Sequence, residues 1–145
     1  MEEFLKATGK LDIILKDSDG NIKQELHVPN LVVTVGKNFI ASRMVGSSSP
    51  AMSHMAIGTN ATAPVSANTT LGTENARVAL SSATATANTV SYSATFPAGT
   101  GTGAITEAGI FNAASSGTLL CRTIFPVVNK AASDALTINW NVTIN

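Results

Sequence analysis

Three runs decide the fold: Asn88-Thr-Val-Ser-Tyr-Ser-Ala-Thr-Phe96, Ala104-Ile-Thr-Glu-Ala-Gly-Ile-Phe-Asn112 and Leu136-Thr-Ile-Asn-Trp-Asn-Val-Thr-Ile-Asn145. In the first, Val90, Tyr92, Ala94 and Phe96 alternate with Thr89, Ser91, Ser93 and Thr95. In the third, Leu136, Ile138, Trp140, Val142 and Ile144 alternate with threonines and asparagines. Side chains of a strand point to opposite faces with a period of two, so each run is a strand with one dry and one wet side. The middle run contains the strand Ile105–Phe111 and holds Glu107, the only charged residue between Arg77 and Arg122. A carboxylate this isolated demands a partner.

Upstream, Leu11, Ile13 and Leu15, then Ile22, Gln24, Leu26 and Val28, form a hairpin around Ser18-Asp-Gly-Asn21, whose Asp-Gly tolerates positive φ. Pro29-Asn30 breaks the second strand. Val35, Phe39, Ile40 and Met44 fall near helical spacing and Gly46 stands where a cap belongs, predicting one short helix over about residues 35–45. Ser53–Gly58 reads as a buried strand, and Thr59–Gly72 as an aperiodic loop. A loop that long inside a compact domain is usually a contact or functional loop. Val78–Thr86 reads as a strand turned back at Ala87-Asn88. Pro97–Gly103 is glycine-rich but has no phosphate-binding spacing and no helix after it, so it reads as a flexible connection. Leu119–Phe125 pairs with Ile105–Phe111, and Pro126–Asp134 crosses to the last strand.

Short strands separated by turns every 8 to 12 residues or so predict a mainly β fold. The expected form is a single antiparallel β-sandwich or jelly-roll-like barrel, with an N-terminal hairpin at 10–28, the helix, and sandwich strands over 53–145. Residues 1–9 carry no period and read as an N-terminal arm, leaving 10–145 as one β-domain.

The chain has 145 residues, enough to bury a core as one domain. Only 12% of it is charged, against about 25% in ordinary domains, and ten of the eighteen charged residues fall in the first 25 positions. The remaining polar surface is Ser, Thr and Asn, which cost less to desolvate against a partner than charges do. Long neutral strand edges of this kind invite pairing, so a homo-oligomer or docking on a larger lattice is expected. The net charge is zero and no basic run exists, which argues against a nucleic-acid partner. No apolar run nears the roughly 20 residues of a membrane helix, and the acidic start, Met1-Glu-Glu-Phe, is unlike a signal peptide.

Chemistry-bearing clusters are missing from the pattern. His27, His54 and Cys121 share no ligand-like spacing, so no metal or other cofactor is expected. Neither histidine sits near a nucleophile in a strained turn, and no two carboxylates pair, so no catalytic residue is assigned. Cys121, the only cysteine, reads as a small buried hydrophobe. Glu107 and Arg122 lie on strands expected to be neighbours and form a structural ion pair; Glu74 and Arg77 are a second candidate pair. The exposed candidates for subunit or shell contact are Phe4, Leu5 and Lys6 in the arm and Pro64, Val65 and Asn68 in the long loop. Saccharide binding is disfavoured because Trp140 and Tyr92, the only Trp and Tyr, both lie on the apolar parity.

Ser53-His-Met-Ala-Ile-Gly-Thr59, the spacing of Leu71, Glu74 and Arg77, Asn88–Phe96, Ala104–Asn112 and Leu119-Leu-Cys-Arg-Thr-Ile-Phe125 resemble small structural proteins of tailed bacteriophages. The closest resemblance is to capsid cement, or head decoration, proteins. A strand reading Ile-Thr-Glu-x-Gly-Ile-Phe is also similar to phage tail-fibre and collar-type domains. The cement resemblance implies a non-enzymatic virion protein on the outer capsid surface, assembled in the host cytoplasm. Its partners would be the major capsid protein and copies of itself, as a homotrimer or a dimer. The tail likeness implies instead a minor tail-fibre, collar or baseplate component.

Overall fold

The computed structural model describes residues 4–145. β1 (Ala7–Lys16) and β2 (Ile22–Val32) form the N-terminal hairpin. Its turn is closed by Asp17, whose Oδ1 accepts the N–H groups of Asp19 and Asn21, both at 2.9 Å, while Gly20 takes φ +83°. This is the Asx-type self-bonding that makes aspartate a turn residue. The helix α1 (Thr34–Arg43) follows, then β3 (His54–Gly58), β4 (Glu74–Ala79), β5 (Ser82–Thr86), β6 (Thr89–Phe96), β7 (Gly103–Phe111), β8 (Leu119–Lys130) and β9 (Ala135–Ile144).

The expected mainly β class with one short helix is what the chain forms. Its nine antiparallel strands run in the order β4-β3-β7-β8-β2-β1-β9-β6-β5, in one sheet curled until its two leaves face each other. Between the leaves lies the main core. Leu11, Ile13, Phe96, Leu136, Ile138 and Trp140 come from one leaf, and Met55, Ile57, Ile105, Ile110, Cys121 and Val128 from the other. The alternating parities of the sequence supply these inward faces directly.

Chain connections lie at both corners of the curl. β2 pairs with β1 as far as Asn30, opposite Gly9; Leu31 and Val32 then pair with Arg122 and Cys121 of β8. At the far side β4 runs into β5 through Leu80 and Ser81 alone. The Leu80 N–H donates to Ser53 O in one leaf and the Ser81 N–H to Ser93 O in the other, at 2.9 and 2.8 Å. Strands that change sheet at a bend are how facing leaves make corners.

Several boundaries differ from the sequence expectation. Pro29-Asn30 does not end β2 but marks its corner, where the ladder changes partner. β8 does not stop at Phe125: it passes through Pro126 to Lys130, because Ile105 pairs with Val128 and Glu107 with Ile124. Pro126 therefore sits in a bulge, where a missing N–H costs no ladder bond. Val78–Thr86 is two strands bent at the corner rather than one. Ala7–Gly9, expected in the arm, are strand, paired with Ile144–Val142; residues 1–3 of that arm lie outside the described residues.

Helix α1 seats on β8 by direct backbone contact. A Cβ on Gly36 would collide with the Leu120 carbonyl, so glycine sets how closely helix and strand approach. Among the described residues no helix is long and apolar enough to cross a membrane.

Candidate functional site

β7 has two faces. Ile105, Ala108 and Ile110 enter the core between the leaves, whereas Glu107 and Phe111 face outward. That outer face is nonetheless buried, because the long loop after β3 lies across it. Leu71 of the loop joins Val33, Ala56, Phe111 and Leu119 in a second small core. Glu107 is 0% exposed at its edge.

The carboxylate is fully used. Its Oε1 accepts the Gly72 N–H at 2.8 Å and two guanidinium N–H groups of Arg122, from Nε and Nη2, both at 3.0 Å. Its Oε2 accepts the N–H groups of Asn60, at 3.0 Å, and Thr73, at 2.7 Å. Both ends of the loop thus hang from one side chain. Arg122 then reaches the middle of the loop, with Nη1 donating to Asn68 Oδ1 at 3.3 Å. Asn68 Oδ1 also accepts the Val65 N–H at 3.0 Å. Gly58 faces Glu107 across the β3–β7 ladder, and a Cβ there would strike the Thr73 carbonyl and the carboxylate itself. A buried charge is tolerated only when paired and hydrogen-bonded, and this one meets that condition completely.

Glu74 and Arg77 form a second brace. Three residues apart on a regular strand they would face opposite sides, but Asn75 is the extra residue of a bulge between Ile57 and Gly58, which turns both the same way. Arg77 Nε and Nη2 donate to the two Glu74 oxygens at 3.0 and 2.7 Å, and Nη1 donates to the Ala113 and Ser116 carbonyls, both at 2.9 Å. The guanidinium carbon stands 3.8 Å from the centre of the Phe111 ring, a stacked cation–π geometry.

A third charged cluster joins the start of β2 to the turn between β8 and β9. Asp134 accepts Lys23 Nζ at 2.7 Å and the Ala131 N–H at 2.8 Å; the Lys23 bond foremost holds its carboxyl below the ordinary range. Lys130 donates to the Pro97 carbonyl at 3.0 Å, and burial lowers its ammonium pKa against the raising effect of Asp134.

Each charged side chain of these three clusters is engaged in a hydrogen bond or an ion pair. Among the described residues no group of three His, Cys, Asp or Glu could hold a metal. Ser53 Oγ lies 2.8 Å from His54 Nδ1, but these are chain neighbours, and among the described residues no carboxylate pairs with that ring. The Cys121 thiol is buried, which pushes its pKa up and keeps it unreactive.

The candidate contact residues divide. Phe4 and Leu5 are 75% and 79% exposed and Val65 is 55% exposed, with Pro64 half-buried beside it. Lys6 exchanges backbone hydrogen bonds with Asn145 and continues into β1. Asn68 turns inward to Arg122 and belongs to the brace. The sequence carried no sign of the three N–H donors of Asn60, Gly72 and Thr73, because backbone groups leave no mark in residue identity.

The family model described as phage tail-collar fibre protein, N-terminal, matches residues 27–144. No curated protein and no solved structure matches the chain. The match gives no support to the capsid-cement reading, nor to a major capsid protein partner or an outer-capsid location; it supports the tail-fibre and collar likeness instead. Reaching from the second strand of the hairpin to the end of β9, it makes this chain a member of the phage tail-collar fibre protein family, matched at the N-terminal domain, and a structural protein of a phage.

Proposed function

We propose that this domain is an attachment module of a tail-collar fibre, holding the fibre to the phage tail as a homo-oligomer, with a trimer as the expected order. The observation that carries the reading is the family match over residues 27–144. The site chemistry agrees with it: Glu107, Arg122, Glu74 and Arg77 are spent on bracing a loop and a strand edge, so the role is mechanical rather than catalytic. The outer face of β6 and β9 supports a role in docking. Its side chains bond one another in neutral pairs, Thr89 with Thr143, Ser91 with Asn141, Ser93 with Asn139 and Thr95 with Thr137, each at 2.8–3.0 Å. A face whose polar groups are already satisfied can be covered by a partner at small desolvation cost.

The test is location and copy number in purified particles. Gold-labelled antibody against the domain, with a quantified protein gel, is expected to place a few copies at the tail. Several hundred copies spread over the head would overturn the proposal in favour of capsid decoration.

A further inference from the structure

The N-terminal corner of the molecule holds an apolar groove and, beside it, an apolar segment that does not fill it. The groove has two adjoining hollows that share Ile40 and Ile144. One, of about 410 Å³, lies between Leu5–Thr8 and the Lys37–Ile40 turn of α1. The other, of about 180 Å³, has Tyr92 and Val142 in its wall, Phe39 beside them and Arg43 at its margin. A cavity near 150 Å³ lined by aliphatic and aromatic groups accepts a benzene ring, so the smaller hollow is the size of a phenyl group. Phe4 and Leu5 are 75% and 79% exposed; Leu5 stands with Lys6 at the wall of the larger hollow, and Phe4 lines neither hollow.

Charge selects the occupant. Between Leu26 and Thr73 the only charged residues are Lys37 and Arg43, and with Lys6 they give the groove a basic rim. The segment Glu2-Glu3-Phe4-Leu5 has the opposite character, two acids followed by two large apolar residues. We infer that the groove receives the Glu2–Leu5 segment of a second copy of this chain, Phe4 entering the smaller hollow and the two glutamates meeting Lys37 and Arg43. Segment and groove adjoin, so each copy can pass its segment to the next around a symmetry axis near this corner, which covers both in a closed ring such as a trimer. The inference rests on the homo-oligomeric reading above and supplies its contact.

Photo-crosslinking on the full chain tests it. Phe4→p-benzoylphenylalanine is prepared in unlabelled and nitrogen-15 forms, mixed, irradiated and mapped by mass spectrometry. Mixed-isotope peptides joining position 4 to residues 37–43 or 140–144 are the expected product. Lys37→Glu with Arg43→Glu lowers the yield several-fold at low salt. Cross-links within one chain, cross-links to any other surface, or none, overturn the exchange, and a yield indifferent to the charge reversal overturns the electrostatic pairing. Light scattering on the unmodified chain separates the two claims. An oligomer without the cross-link sinks the exchange alone, whereas a monomer at every concentration sinks the oligomer as well.

Discussion

A single carboxylate does the work that a disulfide or a metal does in smaller folds: Glu107 fastens both ends of a long loop to the outer face of β7. Glu107→Gln keeps the shape but removes the charge and replaces one acceptor with an amide that donates toward N–H groups. Breaking a buried pair in this way costs about 3–5 kcal/mol, read as a lower midpoint in chemical denaturation. Combined with Arg122→Met, the loss is expected to fall short of the sum by more than about 1 kcal/mol, as for residues in direct contact. Asp134 carries a pH dependence. Its carboxyl is held below the ordinary range by Lys23, so its contribution is present above the usual carboxylate pKa of about 4 and is lost as pH falls through the lowered value. Acid melts of Asp134→Asn are therefore expected to lack part of the parent's drop in stability at low pH. An unchanged profile would remove Asp134 from the account.

Elements were legible where period and burial agreed. β6 and β9 follow their alternations closely, since each has the core on one side, whereas β7 is buried on both faces and shows no such alternation. The misreadings fall at prolines and bends. Pro29 and Pro126 are helix and ladder breakers by local rule, yet one stands at a corner and the other in a bulge, and both places are set by strands far off in sequence. The pairing of Glu107 with Arg122 could be anticipated because both were lone charges in apolar strands. The loop it fastens could not, since Asn60, Gly72 and Thr73 contribute only main chain. Gly36 shows the same competition between local and tertiary effects. In a free helix, alanine is better than glycine by about 1 kcal/mol. Here the Leu120 carbonyl occupies the space of a Cβ, so Gly36→Ala is expected to destabilise by about 1–3 kcal/mol, measured by thermal or urea unfolding. A stabilised variant would show that α1 rides further from β8 than the contact requires.

On the scale of the whole molecule, the curl is tied at two opposite corners by covalent chain, through β2 and through Leu80-Ser81, so neither leaf can swing away without breaking ladders in both. The ends of the described chain meet at one point: Lys6 and Asn145 trade backbone hydrogen bonds at 3.0 and 2.7 Å, and β1 then runs antiparallel to β9 along its whole length. This has a mechanical meaning for a part of a fibre. Tension between Lys6 and Asn145 would open the β1–β9 ladder rung by rung, as a zipper, with each bond loaded alone. Pulling between Lys6 and Phe96 would instead reach β6 through the neighbouring strands. Optical-tweezer extension through 6 and 145 is expected to yield at distinctly lower force than through 6 and 96, and equal forces would refute the zipper. A domain wired in this way is weak along its own chain and strong across its faces, so a load is best taken sideways, through whatever grips it.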